Sequence, residues 1–158
     1  MAVENRLPSA SVEVRSFRAE DADAVVAISE ESPNAANWPK ESYLKLAAEN
    51  DSLLLVIETG GRIAAFLIGR RVADQAEILN LAVKQAHRRK GLGSALMSAA
   101  LKEFALRGAK SVYLEVRQSN TVAIAFYERL GFAKSGLRKA YYRAPDESAV
   151  TMTKELSG

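Results

Sequence analysis

The chain has 158 residues, 48% of them hydrophobic, which is enough for one domain with a buried core. Its 22 lysines and arginines nearly balance its 19 aspartates and glutamates, and a net charge of +3 does not indicate a nucleic-acid-binding protein. The absence of cysteine excludes a disulfide scaffold, a thiolate metal site and a cysteine nucleophile.

Two further features bear on localisation and partners. Residues 1–11 are polar, are expected to form a flexible lead-in, and contain no apolar segment typical of a signal peptide. No apolar run is long enough to span a bilayer. We therefore expect a cytoplasmic protein, a monomer or weak homodimer, with no membrane partner and no direct nucleic-acid partner. No metal site is expected, because the single histidine, His87, has no ligand motif around it.

The first half of the chain predicts one strand, two helices and an antiparallel meander. The strands are apolar, β-branched or alternating, whereas the helices begin with acids or proline and carry apolar residues on one face. The pair Gly60-Gly61 predicts a tight hairpin turn. The predicted strands are Val12–Phe17, Ser52–Thr59, Arg62–Val72 and Ala76–Val83, and the helices are Asp21–Ser32, with Val25 and Ile28 inside, and Pro39–Asn50, with Tyr43, Leu44 and Ala47 inside.

A basic glycine loop, Arg88-Arg89-Lys90-Gly91-Leu92-Gly93, follows the fourth strand. Glycine lets backbone N–H groups approach a ligand closely, and the start of the next helix adds the positive end of a dipole. The pattern favours a phosphorylated ligand, although a plain turn is the simpler alternative. A P-loop is excluded because no lysine follows Gly93, and the dinucleotide fingerprint fails because Leu96 occupies its third glycine position.

The second half predicts a parallel crossover, then a helix and two more strands. Asn120 is a typical helix N-cap, and Gly108 and Gly131 are typical residues after a helix end. A helix between two neighbouring strands makes those strands parallel, so the fold class is α/β with a mixed sheet. The predicted elements are the helix Leu92–Arg107, with Ser94, Ser98 and Lys102 exposed, the strand Ser111–Val116, the helix Asn120–Leu130, and the strands Phe132–Leu137 and Val150–Glu155.

Two stretches resemble the GNAT superfamily of N-acetyltransferases. The loop matches its acetyl-CoA motif, Gln/Arg-x-x-Gly-x-Gly/Ala, although Lys84-Gln85 stands where members often carry Asp-Pro. The run from Leu114 to Phe132 is similar to the RimI-type branch, which acetylates the N-terminal alanine of a ribosomal protein. The resemblance implies a single GNAT domain over residues 12–156. In that fold a mixed, mostly antiparallel sheet splays around one parallel βαβ crossover, with helices on both faces.

The resemblance also implies a role for each site residue. Glu115 would be the base that deprotonates the acceptor amine, and Tyr127 the acid that protonates the thiolate of coenzyme A. Trp38 and Tyr141 would wall the acceptor groove. The residues implied to hold acetyl-CoA are Leu81, Ala82, Val83, Arg88, Arg89, Lys90, Gly91, Leu92, Gly93, Ser94 and Asn120.

Residue types alone leave simpler alternatives open. Glu115 could be an ion-paired surface carboxylate, Tyr127 a core tyrosine, and Asn120 only a helix cap. The expected acceptor is a protein N-terminus, such as that of a ribosomal protein. The alternatives are a small-molecule amine such as a polyamine or aminoglycoside, a protein lysine, or no turnover at all in an acyl-CoA-binding domain. Ala140 and Arg143 depart from the branch's pattern in the segment that shapes acceptor choice.

Overall fold

A computed structural model describes residues 13–33, 35–142 and 147–156, and these residues form two compact units. The first unit comprises the described residues up to Gly69 together with Asn80–Ala100. The second comprises Arg70–Leu79 and the described residues from Leu101 onwards. The predictions for the lead-in, residues 1–11, and for Arg143 lie outside the described residues. The single-domain organisation stays a prediction.

Every predicted helix and strand is present in the described residues, with ends that shift by a few positions. The strands are β1 (Glu13–Ser16), β2 (Ser52–Thr59), β3 (Arg62–Val72), β4 (Gln75–Val83), β5 (Ser111–Arg117), β6 (Ala133–Tyr142) and β7 (Glu147–Glu155). The α-helices are α1 (Ala22–Glu30), α2 (Lys40–Ala47), α3 (Leu92–Leu106) and α4 (Thr121–Arg129), and short 3-10 turns cover Ala19–Asp21 and Gln85–His87. None of the helices in the described part of the chain is long and apolar enough to cross a membrane.

The strands pair in the order β1-β2-β3-β4-β5-β7-β6. Strands β1 and β2 are antiparallel, as are β5 and β7, and β6 and β7. The crossover through α3 makes β4 and β5 parallel, with Gln75–Ile78 opposite Ser111–Leu114. The mixed, mostly antiparallel α/β fold expected from the sequence is confirmed.

The first unit buries most of the residues that the sequence placed inside, although Leu44 is only half-buried. Val25, Ile28 and Tyr43 are buried, but Ala47 is exposed, so its assignment to the packing face was wrong. The helix α2 ends at Ala47 rather than at Asn50, so Ala47 is its last residue. The Ser52 hydroxyl donates to the carbonyls of Leu46 and Glu49 at 2.5 and 2.8 Å and so satisfies carbonyls at the helix end.

The second unit shows the expected alternation along β5. Val112, Leu114 and Val116 are buried, whereas Tyr113, Glu115 and Arg117 lie half-buried on the opposite face. Strand β6 continues to Tyr142, five residues beyond the predicted end at Leu137, and β7 begins at Glu147 rather than Val150. The sequence prediction stopped early because polar residues such as Arg138 and Lys139 interrupt the apolar alternation.

Candidate active site

The glycine loop in the first unit connects β4 to α3. Backbone φ is positive at Arg89 and Gly91, +65° and +80°, a conformation that glycine adopts without strain. None of the described atoms lies within 4 Å of the position that a Gly91 Cβ would occupy. The backbone at this turn is therefore exposed and can be approached closely by a ligand.

The start of α3 provides hydrogen-bond donors at the same loop. The Ala95 N–H donates to the Gly91 carbonyl at 3.0 Å, which makes Gly91 the N-cap of the helix. The N–H groups of Leu92, Gly93 and Ser94 precede this first intrahelical bond and have no acceptor within the helix. Such donors, next to the exposed Arg89 and Lys90, are suited to phosphate oxygens.

Arg88 differs from the two cations that follow it. Its Nε donates to the Val83 carbonyl at 3.1 Å, and its Nη2 donates to the Ser32 hydroxyl at 3.3 Å. These bonds tie the start of the loop to the end of β4 and to the segment after α1. The residues predicted to pair with pantetheine, Leu81–Val83, follow Ile78, the last position of β4 that pairs with β5. Their role in binding stays a prediction.

Trp38 lies in the connection between α1 and α2 and packs on a buried tyrosine. Its ring is 5.4 Å from that of Tyr43, which in turn meets Phe66 edge-on at 6.1 Å. Burial raises the pKa of Tyr43. The Asn80 amide holds the same connection, donating to the Ala36 carbonyl at 3.0 Å and accepting from its N–H at 3.2 Å. Asn80 was not predicted as a structural residue from the sequence, although a polar residue at an inward position of β4 is a signal of such a role.

In the second unit, Glu115 projects from β5 and is held by two side chains. Arg138 Nη1 donates to both carboxylate oxygens at 3.0 and 3.2 Å, and the Thr151 hydroxyl donates to Oε2 at 3.3 Å. The Glu115 side chain is only 11% exposed, whereas that of Arg138 is 56% exposed. The simpler alternative was that Glu115 is an ion-paired surface carboxylate. The carboxylate is indeed ion-paired, but it is largely removed from solvent and so differs from a surface carboxylate.

Tyr127 projects from α4, near Tyr142 of β6. Burial raises the pKa of Tyr127 to about 12, with a further contribution from Tyr142. Burial likewise raises the pKa of Tyr142 to about 12, and the nearby charge of Glu115 adds to the shift. Tyr142 thus lies within electrostatic range of both Glu115 and Tyr127. A carboxylate and a protonated phenol that each lie near the same tyrosine can act as a base and an acid.

Asn120 caps α4 from the loop after β5. Its Oδ1 accepts from the Ala123 N–H at 3.2 Å, which confirms the predicted cap. The loop itself is fixed by Glu147, which accepts from the Ser119 N–H and, at 3.3 Å, from Arg117. These hydrogen bonds from Ser119, with that from Arg117, lower the pKa of Glu147. A contact between Asn120 and a cofactor stays a prediction.

Residues 22–132 match the Acetyltransferase (GNAT) family. The chain belongs to this family. Its enzyme class is therefore that of an acetyl-CoA-dependent N-acetyltransferase, as the sequence predicted.

The similarity to alanine N-acetyltransferases extends over most of the chain. The ribosomal protein bS18-alanine N-acetyltransferase of Escherichia coli K12 is 36% identical over 130 residues, which cover 81% of this chain and 87% of that protein. The putative enzyme of the same name from Bacillus subtilis 168 is 36% identical over 140 residues, covering 88% and 92%. The crystal structure of the E. coli ribosomal-protein-S18-alanine N-acetyltransferase matches with a TM-score of 0.83 at 32% identity, covering 93% of this chain and 95% of that one. The resemblance to the RimI-type branch is confirmed.

Two arginines of this GNAT protein stack on the tyrosine pair at the end of β6. Arg138 lies 4.0 Å from the centre of the Tyr141 ring, and Arg117 lies 4.4 Å from that of Tyr142. The two rings meet edge-on at 5.1 Å. Tyr141 was predicted as a site residue and Arg138 was not, because the contact of Arg138 with Glu115 depends on a strand register that the sequence does not display.

A second carboxylate lies on the same face of β4 and β5. The Tyr113 hydroxyl donates to Glu77 at 3.2 Å, and Arg70 lies 3.6 Å from the same carboxylate oxygen. Glu77 is opposite Tyr113 in the parallel register. Burial raises the pKa of Tyr113, and the negative charges of Glu77 and Glu115 raise it further. Each carboxylate is thus balanced by an arginine of its own.

Proposed function

We propose that this N-acetyltransferase modifies the N-terminal α-amine of a protein whose first residue is small, with alanine preferred. The observation that supports it most directly is the largely buried Glu115 carboxylate in the second unit, in a chain 36% identical to alanine N-acetyltransferases. A ribosomal protein is the acceptor that those relatives suggest.

The glycine loop would hold the cofactor's pyrophosphate. The open space beside Gly91 and the donors at the start of α3 fit a diphosphate, and Arg89 and Lys90 supply positive charge. When bound, acetyl-CoA supplies the acetyl group as a thioester. The backbone of Leu81–Val83 and the side chain of Asn120 would orient the pantetheine arm.

Glu115 would remove the proton that blocks the acceptor nitrogen. An ammonium group has no lone pair, so the amine must lose a proton before it can attack an acyl carbon. The Glu115 carboxylate accepts that proton. Tyr127 then delivers its hydroxyl proton to the leaving sulfur, and its raised pKa of about 12 keeps that proton in place at neutral pH. The two residues therefore move protons in opposite directions.

An α-amine is an easier acceptor than a lysine side chain. The α-amino pKa is ~8 and that of lysine is ~10.4, so more of the α-amine is neutral at pH 7. The resemblance to the family implies that Trp38 and Tyr141 each contact the acceptor, and bulky aromatic side chains there would favour a small first residue. A small-molecule amine is the alternative acceptor, because two half-buried carboxylates on one face of the sheet, Glu77 and Glu115, also attract polyamines.

A thiol-release assay with acetyl-CoA tests the proposal. We expect a peptide that begins Ala-Arg to be acetylated on its α-amine. The matched control is the same peptide with a blocked N-terminus and an internal lysine, which should not react. Polyamines and aminoglycosides are assayed beside the peptides. Mass spectrometry that finds the acetyl group only on lysine, or turnover of polyamines with none of peptides, would contradict the proposed acceptor.

A further inference from the structure

The partners of Glu115 raise a question about how an acceptor reaches it. The carboxylate accepts two contacts from Arg138 Nη1 and one from the Thr151 hydroxyl. Arg138 is more than half exposed and Glu115 is nearly buried, so the guanidinium covers the carboxylate on its solvent side. An acceptor ammonium that approaches Glu115 meets a cation already in place.

The strand register explains how Arg138 spans this distance. Glu115 on β5 is opposite Thr151 on β7, and Thr151 is opposite Gly136 on β6. The two residues beside Glu115 across the sheet are therefore a threonine, with a small side chain, and a glycine. Arg138 lies two residues after Gly136 on β6, on the same face of the sheet, and is opposite Ala149. These small neighbours leave a path over β7 along which the long arginine side chain reaches Glu115.

The contact is suited to exchange. One guanidinium nitrogen bridges both oxygens, whereas a tightly held arginine donates from two nitrogens in a fork. The rest of the guanidinium rests on the exposed Tyr141 ring at 4.0 Å, and a register irregularity lies between Arg138 and Tyr142. The hydrogen bond to Glu115 raises the pKa of Arg138, so the arginine leaves the carboxylate by being displaced and not by losing its proton.

We propose that Arg138 is a displaceable counter-ion that occupies the Glu115 carboxylate until the acceptor's ammonium group takes its place. The inference rests on the proposed function of Glu115 as the base for the acceptor. Arg138 therefore competes with the acceptor, and the Tyr141 ring keeps the displaced guanidinium close by. An acceptor whose only charge is one ammonium group binds less tightly as a result. Between turnovers, the negative charge of Glu115 is always paired with the positive charge of Arg138.

The test compares Arg138→Gln with Lys139→Gln, a matched control that removes the same charge from the next residue. We expect Arg138→Gln to lower the acceptor KM by about threefold to fivefold, the range expected for breaking an exposed ion pair, with kcat within twofold of wild type. Lys139→Gln should leave both constants unchanged. In a Glu115→Gln background, Arg138→Gln should no longer change the acceptor Kd, measured by calorimetry with coenzyme A present.

Three results would overturn the inference. A lower kcat with unchanged KM would make Arg138 a residue that positions Glu115. A higher KM would make it a direct contact of the acceptor, and unchanged constants would leave it without a role. If wild type does not acetylate the Ala-Arg peptide, the proposed function fails separately. The same variants are then compared with whichever amine the thiol-release panel identifies, because the counter-ion would compete with any ammonium.

Discussion

Two arginine–carboxylate pairs, Arg15–Asp21 in the first unit and Arg138–Glu115 in the second, differ in geometry and in exposure. Arg15 Nη1 and Nη2 donate to separate Asp21 oxygens at 2.9 and 3.0 Å, and the side chains are 14% and 6% exposed. The Arg18 N–H also donates to Asp21, at 2.7 Å. Burial works to raise the pKa of Asp21, but the hydrogen bonds from Arg15 and Arg18 outweigh it and lower that pKa.

The second pair lacks the fork, and its arginine is exposed although its carboxylate is largely buried. Arg138 uses one nitrogen, and most of its side chain is in solvent. A forked pair with both side chains buried holds its carboxylate permanently and stabilises the fold, whereas an exposed arginine that donates from a single nitrogen leaves its carboxylate available for exchange. Changes in the first pair should therefore alter stability, and changes in the second should alter activity.

The largest expected effect is the loss of turnover when Glu115 is replaced. Glu115→Gln should lower turnover by about 10²-fold or more, because the amide cannot accept the acceptor's proton. Turnover should recover partly at high pH, where the amine is already neutral, and the free energy of unfolding should change little. Steady-state rates from pH 6 to 10 and urea unfolding measure both. Glu103→Gln, which breaks the helical pair with Arg107, is the control and should keep wild-type rates.

Asp21→Asn should show the reverse pattern. We expect a loss of about 3 kcal/mol in the free energy of unfolding, because Arg15 loses its buried partner, with kcat preserved. Since the folded pKa of Asp21 is lowered, its stabilisation is present above about pH 4 and is lost as pH falls through the folded pKa. The stability difference between variant and wild type should therefore shrink in acid.

The control for Asp21 is its neighbour Asp23. Asp23 pairs with Lys40 at 3.2 Å, and its side chain is mostly exposed. Asp23→Asn should cost less than about 1 kcal/mol. Equal losses for the two variants would mean that the fork and the burial do not distinguish Arg15–Asp21 from an ordinary surface pair.

Tyr127→Phe separates the proton donor from the base. Turnover should fall by about 50-fold, below the loss at Glu115, because water can also protonate a thiolate. No recovery at high pH is expected, since a neutral amine does not replace the missing proton donor. Because the pKa of wild-type Tyr127 is raised to about 12, the residue keeps its proton up to about pH 11. Ionisation of Tyr127 should therefore cause no loss of wild-type turnover below that pH. A high-pH recovery equal to that of Glu115→Gln would contradict the assigned role.

Sites formed by residues that are neighbours in the chain could be predicted from the sequence. Sites formed by residues on different strands could not. The glycine loop and the Asn120 cap are local, and the sequence located both. The partners of Glu115 come from β6 and β7, and their positions follow from register and from the unpredicted length of β6. Arg138 and Thr151 were therefore missed. Asn80 was missed for a related reason, since its partner lies in the connection before α2.

The last prediction extends the comparison to a site made by the backbone. Gly91→Val should weaken coenzyme A binding by about tenfold, because a side chain would occupy the open space where N–H groups meet pyrophosphate. The substitution also strains the chain, since φ at Gly91 is +80°. Gly61→Val is a matched control for that strain: φ there is +78°, and no described atom lies within 4 Å of the added Cβ. Calorimetry on both variants separates the two effects, because strain alone predicts equal losses of stability and unchanged affinity in each. Wild-type affinity in folded Gly91→Val would remove the loop from the cofactor site, whereas a loss confined to Gly91→Val would show that the open backbone itself binds the coenzyme.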